Sequence, residues 1–134
     1  MLETFPDNVR IVFKHYPLGS HRFAAKAALT AQAADLQGRF WALHDEFFKH
    51  NERLTEDKIQ AAVRSLGIDA EQLDRDLKNP RVTGHVQADL NEAVRIGVRG
   101  VPAVYVNGKR LRDRSFESMV AAVDKELKKR SAKN

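Results

Sequence analysis

Gly100-Val101-Pro102-Ala103-Val104-Tyr105-Val106-Asn107-Gly108 is the stretch that decides the fold. A proline opens an alternating β-branched and aromatic run, Gly-Val precedes it and Asn-Gly closes it. That order predicts a strand entered from a tight turn and left through a two-residue hairpin. Lys109-Arg110-Leu111 then forms the return strand. Proline has no N–H to give to a ladder and holds φ fixed, so it suits the first position of a strand. X-Pro is also the one linkage in which a cis peptide costs little, and Val101-Pro102 is expected to be cis. Taken alone, the loop reads only as the lead-in to a hairpin.

Two further segments widen the reading. Val9-Arg10-Ile11-Val12-Phe13-Lys14-His15-Tyr16-Pro17-Leu18 lies upstream, and Gln37-Gly38-Arg39-Phe40-Trp41-Ala42-Leu43-His44-Asp45-Glu46-Phe47-Phe48 lies between the two. Together with Gly97-Val98-Arg99-Gly100-Val101-Pro102 and the alanine-rich run from about Ser20 to Leu36, they resemble the DsbA-like branch of the thioredoxin fold, from about Pro6 to the last helix. The resemblance implies an α/β, thioredoxin-like fold with a helical insertion at about residues 20–78 and a C-terminal thioredoxin half at about 79–130, in one domain over 1–134. It implies kinship with thiol-disulfide oxidoreductases and protein disulfide isomerases. It also implies that the loop Gly100, Val101 and Pro102 holds substrate backbone in extended form. In the family this loop abuts a Cys-x-x-Cys at the start of the first core helix, and that half of the pattern is missing here. Met1-Leu2-Glu3-Thr4-Phe5 corresponds to the tail of the catalytic helix, so an N-terminally truncated version of the fold is expected.

The chain has no cysteine. Attack on a disulfide needs a thiolate and resolution of the mixed disulfide needs a second, so the chain by itself is expected to be redox-inactive, with no catalytic residue of its own. Two explanations follow. Either a complete protein carries Cys-x-x-Cys upstream and exchanges disulfides in protein substrates, or the module binds peptides or assembles without catalysis. The absence of thiols also excludes zinc-thiolate sites and disulfides, and leaves the compartment open. The family's precedent is periplasmic or exported, yet the sequence shows no signal segment, and nothing in it approaches the roughly 20 apolar residues of a membrane span.

The chain's 134 residues suffice for one domain with its own core. Val9–Phe13 reads as a strand buried in a mostly parallel sheet. Seven alanines between Ala24 and Ala34 favour a helix with a smooth face, ended by Gly38, and Ser20 reads as its N-cap. Phe40, Trp41, Leu43, Phe47 and Phe48 make a second helix whose aromatics read as core. Thr55 caps a third, with Leu54 and Ile59 as a hydrophobic staple and Gly67 as its stop. Asp69 caps a fourth, where Gln72 completes a capping box, and Asn79-Pro80 opens a fifth carrying Val82, Val86, Leu90, Ala93 and Val94. The last helix follows Ser115 with Phe116, Val120, Val123 and Leu127 on one stripe.

Other chemistries find little footing. His15, His21, His44, His50 and His85 are scattered in sequence, so no metal site and no cofactor are expected. Asp45 and Glu46 are neighbours that cannot converge from a helix, and no other carboxylate pair suggests general acid–base work. The net charge of +5 comes largely from Lys109, Arg110, Arg112 and Arg114 and from the lysines and arginine between Lys125 and Lys133. No aromatics interleave with these cations and no docking motif accompanies them, so nucleic-acid binding is not expected. The expected partner is an extended polypeptide. By resemblance, a strand is missing between Val9–Phe13 and Pro102–Val106, and the helix covering the same sheet face as Ser115–Leu127 is missing too. Unpaired edges and an uncovered face invite association, and a homodimer or larger homo-oligomer is expected.

Overall fold

A computed structural model describes residues 1–49 and 53–132. His50 and Lys133 lie outside them. The elements in order are α1 (Ala24–Asp35), α2 (Phe40–Lys49), α3 (Glu56–Ser65), α4 (Ala70–Asp76), α5 (Pro80–Arg95), β1 (Tyr105–Val106), β2 (Lys109–Arg110) and α6 (Phe116–Ser131). They fall into two compact units, Lys14–Gly97 and a smaller one made of Met1–Phe13 with Val98–Asn134. α5, assigned from sequence to the C-terminal half, packs on α1 inside the larger unit.

In the larger unit the alanines let α1 come close to its neighbours. Ala33 and Ala34 are fully buried, and Ala31, Leu43, Ala62, Val63, Ile68, Leu73 and Val82 complete the core around them. Gly38 ends α1 with φ 66°, a left-handed conformation that glycine reaches without a Cβ penalty, and the chain turns directly into α2. The start of α1 differs from expectation: Ser20 does not cap it, and Phe23 stands at the N-cap with no side-chain bond. Leu18 and His21 carbonyls instead carry the chain into the helix through backbone turns to His21 and Ala24.

The other caps form as expected at Thr55, Asp69 and Asn79, and Ser115 proves to cap the last helix, each side chain accepting from a backbone N–H in the first turn. The capping box at Asp69 does not close as the spacing suggests. The Asp69 N–H donates to Gln37 Oε1 at 3.0 Å while Gln37 Nε2 donates to the Asp69 carbonyl at 3.1 Å. A side chain 32 positions away thus takes the role expected of Gln72 and ties the end of α1 to the start of α4.

In the smaller unit the sheet is reduced to a two-stranded antiparallel ribbon, Tyr105 opposite Arg110 and Val106 opposite Lys109. Asn107 and Gly108 both take positive φ, 46° and 76°, as a two-residue hairpin turn requires. A Leu111 N–H to Val104 carbonyl bond of 2.9 Å extends the pairing by one step. The expected strand Val9–Phe13 is absent from the ladder. The sheet among the described residues consists of β1 and β2, and Ile11 and Val12 are 48% and 60% exposed rather than buried in a sheet. Phe116 also departs from its stripe and stands half exposed, leaving Val123 as the buried residue of α6.

Candidate functional site

The loop Gly100–Pro102 sits at the head of the ribbon. Gly100 is half-buried, Val101 and Pro102 are exposed, and the Val101–Pro102 bond is cis. Among the described residues no hydrogen bond uses the Val101 N–H or C=O. The Pro102 carbonyl is occupied: Arg114 Nη1 donates to it at 2.8 Å, bridging from the segment after β2 back to the loop. Pro102, Ala103, Arg110, Leu111, Arg112 and Arg114 line one open groove of about 630 Å³.

The electrostatics of this groove follow from how the neighbouring acids are used. Asp113 lies between two of the arginines, but its carboxylate accepts from the Ser115 N–H, the Ser115 hydroxyl and the Ser118 hydroxyl at the start of α6. Those bonds, that from Ser118 foremost, hold its carboxyl below the usual aspartate range. Glu126 on α6 pairs with Lys109 at 2.7 Å and Lys129 at 2.9 Å, and these contacts, Lys109 first, push it down to about 2. These two are the ion pairs of the smaller unit among the described residues, so Arg110 and Arg112 have no carboxylate in pairing range.

The larger unit holds a second polar constellation that sequence spacing concealed. Asp89 is 3% exposed on α5. Its carboxylate accepts from the His15 backbone N–H at 2.9 Å and from Lys14 Nζ at 3.0 Å, and His85 Nε2 stands 3.7 Å away. Lys14 also pairs with Glu92 at 3.0 Å, and its bonds to Glu92 and then Asp89 raise its pKa. The His15 ring bonds Gln32 through Nε2 at 3.2 Å and meets Phe40 and His85 edge-on. Burial is the main reason its pKa is lowered. Histidines distant in sequence therefore do come together: the His15 and His85 rings meet edge-on at 6.3 Å, beside a carboxylate that His15 reaches through its backbone N–H. Even so, among the described residues no group of three or more His, Cys, Asp and Glu is arranged to hold a metal ion. Asp89 was legible in hindsight, because it falls on the same helical stripe as Val82 and Val86, where a carboxylate needs partners to be buried. Of the four aromatics read as core on α2, Phe40 and Phe47 pack against it, whereas Trp41 and Phe48 are 48% and 68% exposed.

A helix-rich chain with a Val-Pro loop heading a short ribbon, and a helical unit set into the sequence before it, defines a thioredoxin-like fold with a helical insertion. The chain belongs to the DSBA-like thioredoxin domain family, which it matches over residues 2–124. It is similar to a solved thioredoxin-like oxidoreductase from Silicibacter pomeroyi, with a TM-score of 0.84 and 30% identity over 95% of this chain and 73% of that one. It is 33% identical over 129 residues to the probable disulfide bond formation protein D of Bacillus cereus, covering 90% of this chain and 59% of that protein. It is also 35% identical over 111 residues to the Na(+)/H(+) antiporter NhaA 1 of Mycolicibacterium gilvum, covering 81% of this chain but 18% of the antiporter. The chain therefore spans less than two thirds of these curated relatives. None of its described helices is long and apolar enough to cross a membrane.

Proposed function

We propose that this chain is the polypeptide-binding part of a DsbA-like system and that it performs no thiol chemistry by itself. The observation carrying the reading is the exposed residue Val101, whose backbone N–H and C=O make no hydrogen bond among the described residues. An extended peptide laid beside Gly100–Pro102 satisfies those groups as an added strand would, and this needs no cysteine. Arg114 acts as a positioning residue by holding the Pro102 carbonyl from behind. Disulfide exchange by a form of the protein that contains Cys-x-x-Cys is the second reading, favoured by the likeness to a disulfide bond formation protein.

The test pairs binding with turnover. Titrating the chain with an extended, cysteine-free peptide should give saturable binding, while reduction of insulin by dithiothreitol should proceed at its uncatalysed rate in the chain's presence. Catalysis by the purified chain would contradict the first half of the proposal, and absence of peptide binding would remove the second.

A further inference from the structure

We propose that the groove beside the loop selects acidic extended polypeptides, with Arg110 and Arg112 as the specificity-determining residues. This rests on the peptide-binding reading above and names its substrate class. Charge is distributed unevenly between the two units. The larger holds twelve Lys and Arg and twelve Asp and Glu, whereas the smaller holds eleven against six, so the whole net charge of +5 resides with the loop. Within the smaller unit Lys109 and Lys129 are consumed by Glu126. The one carboxylate inside the arginine run, Asp113, is committed to the α6 cap. Arg110 and Arg112 are left exposed on the groove, with no carboxylate within ion-pairing distance among the described residues.

The groove's chemistry matches an acidic peptide. Arg110 ends β2 and Arg112 stands in the bend that follows it, so one short segment presents two exposed guanidinium groups to the groove. The planar guanidinium can grip a carboxylate with two bonds, and an extended strand carrying several carboxylates offers each arginine a partner. The groove also adjoins Pro102, so the backbone pairing at Val101 and the side-chain pairing at the arginines are available to a single segment. Nucleic acid fits less well. None of the six residues lining the groove is aromatic, and base stacking is what holds single strands on such surfaces.

Two fluorescein-labelled octapeptides, alternating Thr-Glu-Val-Glu and its Thr-Gln-Val-Gln counterpart, separate the terms by anisotropy. Both should bind, because backbone pairing is common to them. The Glu peptide should bind about tenfold tighter at low salt, the gain expected of two or three exposed ion pairs. That advantage should vanish in the double variant R110Q/R112Q and at about 0.5 M salt, where the screening length is only a few ångströms. Affinity for the Gln peptide should change far less than that for the Glu peptide in both cases, and an unaltered far-UV circular dichroism spectrum shows that the variant is folded. Equal affinities in the parent chain overturn the acidic preference and leave peptide binding standing. Failure of both peptides overturns both proposals. An octathymidylate that binds more tightly than the Glu peptide overturns the assignment of a polypeptide occupant. If R110Q/R112Q retains the Glu preference, these arginines are not its source.

Discussion

The two units divide the labour of the molecule. The helical unit, Lys14–Gly97, is charge-neutral and contains twelve of the fourteen buried hydrophobic residues, whereas the smaller unit contributes Val98 and Val123. The smaller unit in turn carries the proline loop, the hairpin, the arginine groove and all of the net charge. A unit with an interdigitated core can bury its own polar exceptions, as it does with Asp89. A unit with little core keeps its polar groups in solvent, where they are available to a ligand. In this chain the buried core and the proposed recognition groove thus lie in different stretches of sequence, and a substitution should act on one with little effect on the other.

The largest effect should come from opening the helical core. Leu43 is fully buried, and Leu43→Ala should lower stability by about 3–4 kcal/mol. Val123→Ala in the smaller unit should cost about 1–2 kcal/mol from the lost methyl groups. Urea unfolding followed by Trp41 fluorescence and by amide exchange on α6 measures both, and equal costs would erase the contrast between the units. Asp89→Ala comes next, at about 2–3 kcal/mol, because it removes the acceptor of a buried backbone N–H and one of the two carboxylates that Lys14 pairs with. Asp89→Asn should cost less, since an amide oxygen can still accept from His15 N–H.

Acid should loosen the two units in different windows. Burial holds the folded His15 pKa below its unfolded value of about 6.5, so below that pH the unfolded chain binds a proton that the folded one refuses. Stability of the helical unit should therefore be full above pH 6.5 and decline as pH falls through the window beneath it. Asp89 and the Gln32 bond oppose that decline, while His85 and His44 reinforce it. His15→Gln should flatten the slope. In the smaller unit Glu126 has a depressed pKa, so its contribution is present above the ordinary glutamate range and lost as pH falls toward about 2. This effect is the smallest of the set, being exposed to salt, and Glu126→Gln should abolish it. Amide exchange of the hairpin and α6, followed from pH 5 to pH 2 at low and high salt, reads it directly.

Local rules carried most of the fold. Caps at Thr55, Asp69, Asn79 and Ser115, the stop at Gly38 and the Asn107-Gly108 turn are chemical decisions made within a few residues, and the sequence displays them. Long-range partnerships were hidden. Nothing near Asp69 announces that Gln37 will take its N–H, and five scattered histidines do not disclose that the rings of His15 and His85 meet. Val9–Phe13 is not among the strands for a related reason: β-branched residues favour extended backbone, but a place in the ladder is decided by long-range pairing that the segment itself does not display. The loop Gly100–Pro102 was legible as a site only through family resemblance; the cationic run beside it stood in the sequence, but which of its charges pair with carboxylates did not, since Lys109 meets Glu126 seventeen residues away.

The central claim is that recognition lives in the smaller unit and needs no thiol. A titration of the isotopically labelled chain with the Thr-Glu-Val-Glu octapeptide, followed by amide chemical shifts, tests it most directly. Shifts should concentrate on Gly100, Val101, Ala103 and Arg110 to Arg114, with the helices of the larger unit silent. Shifts centred instead on the exposed face of α2 around Trp41 and Phe48, or none at all at saturating peptide, would contradict the account.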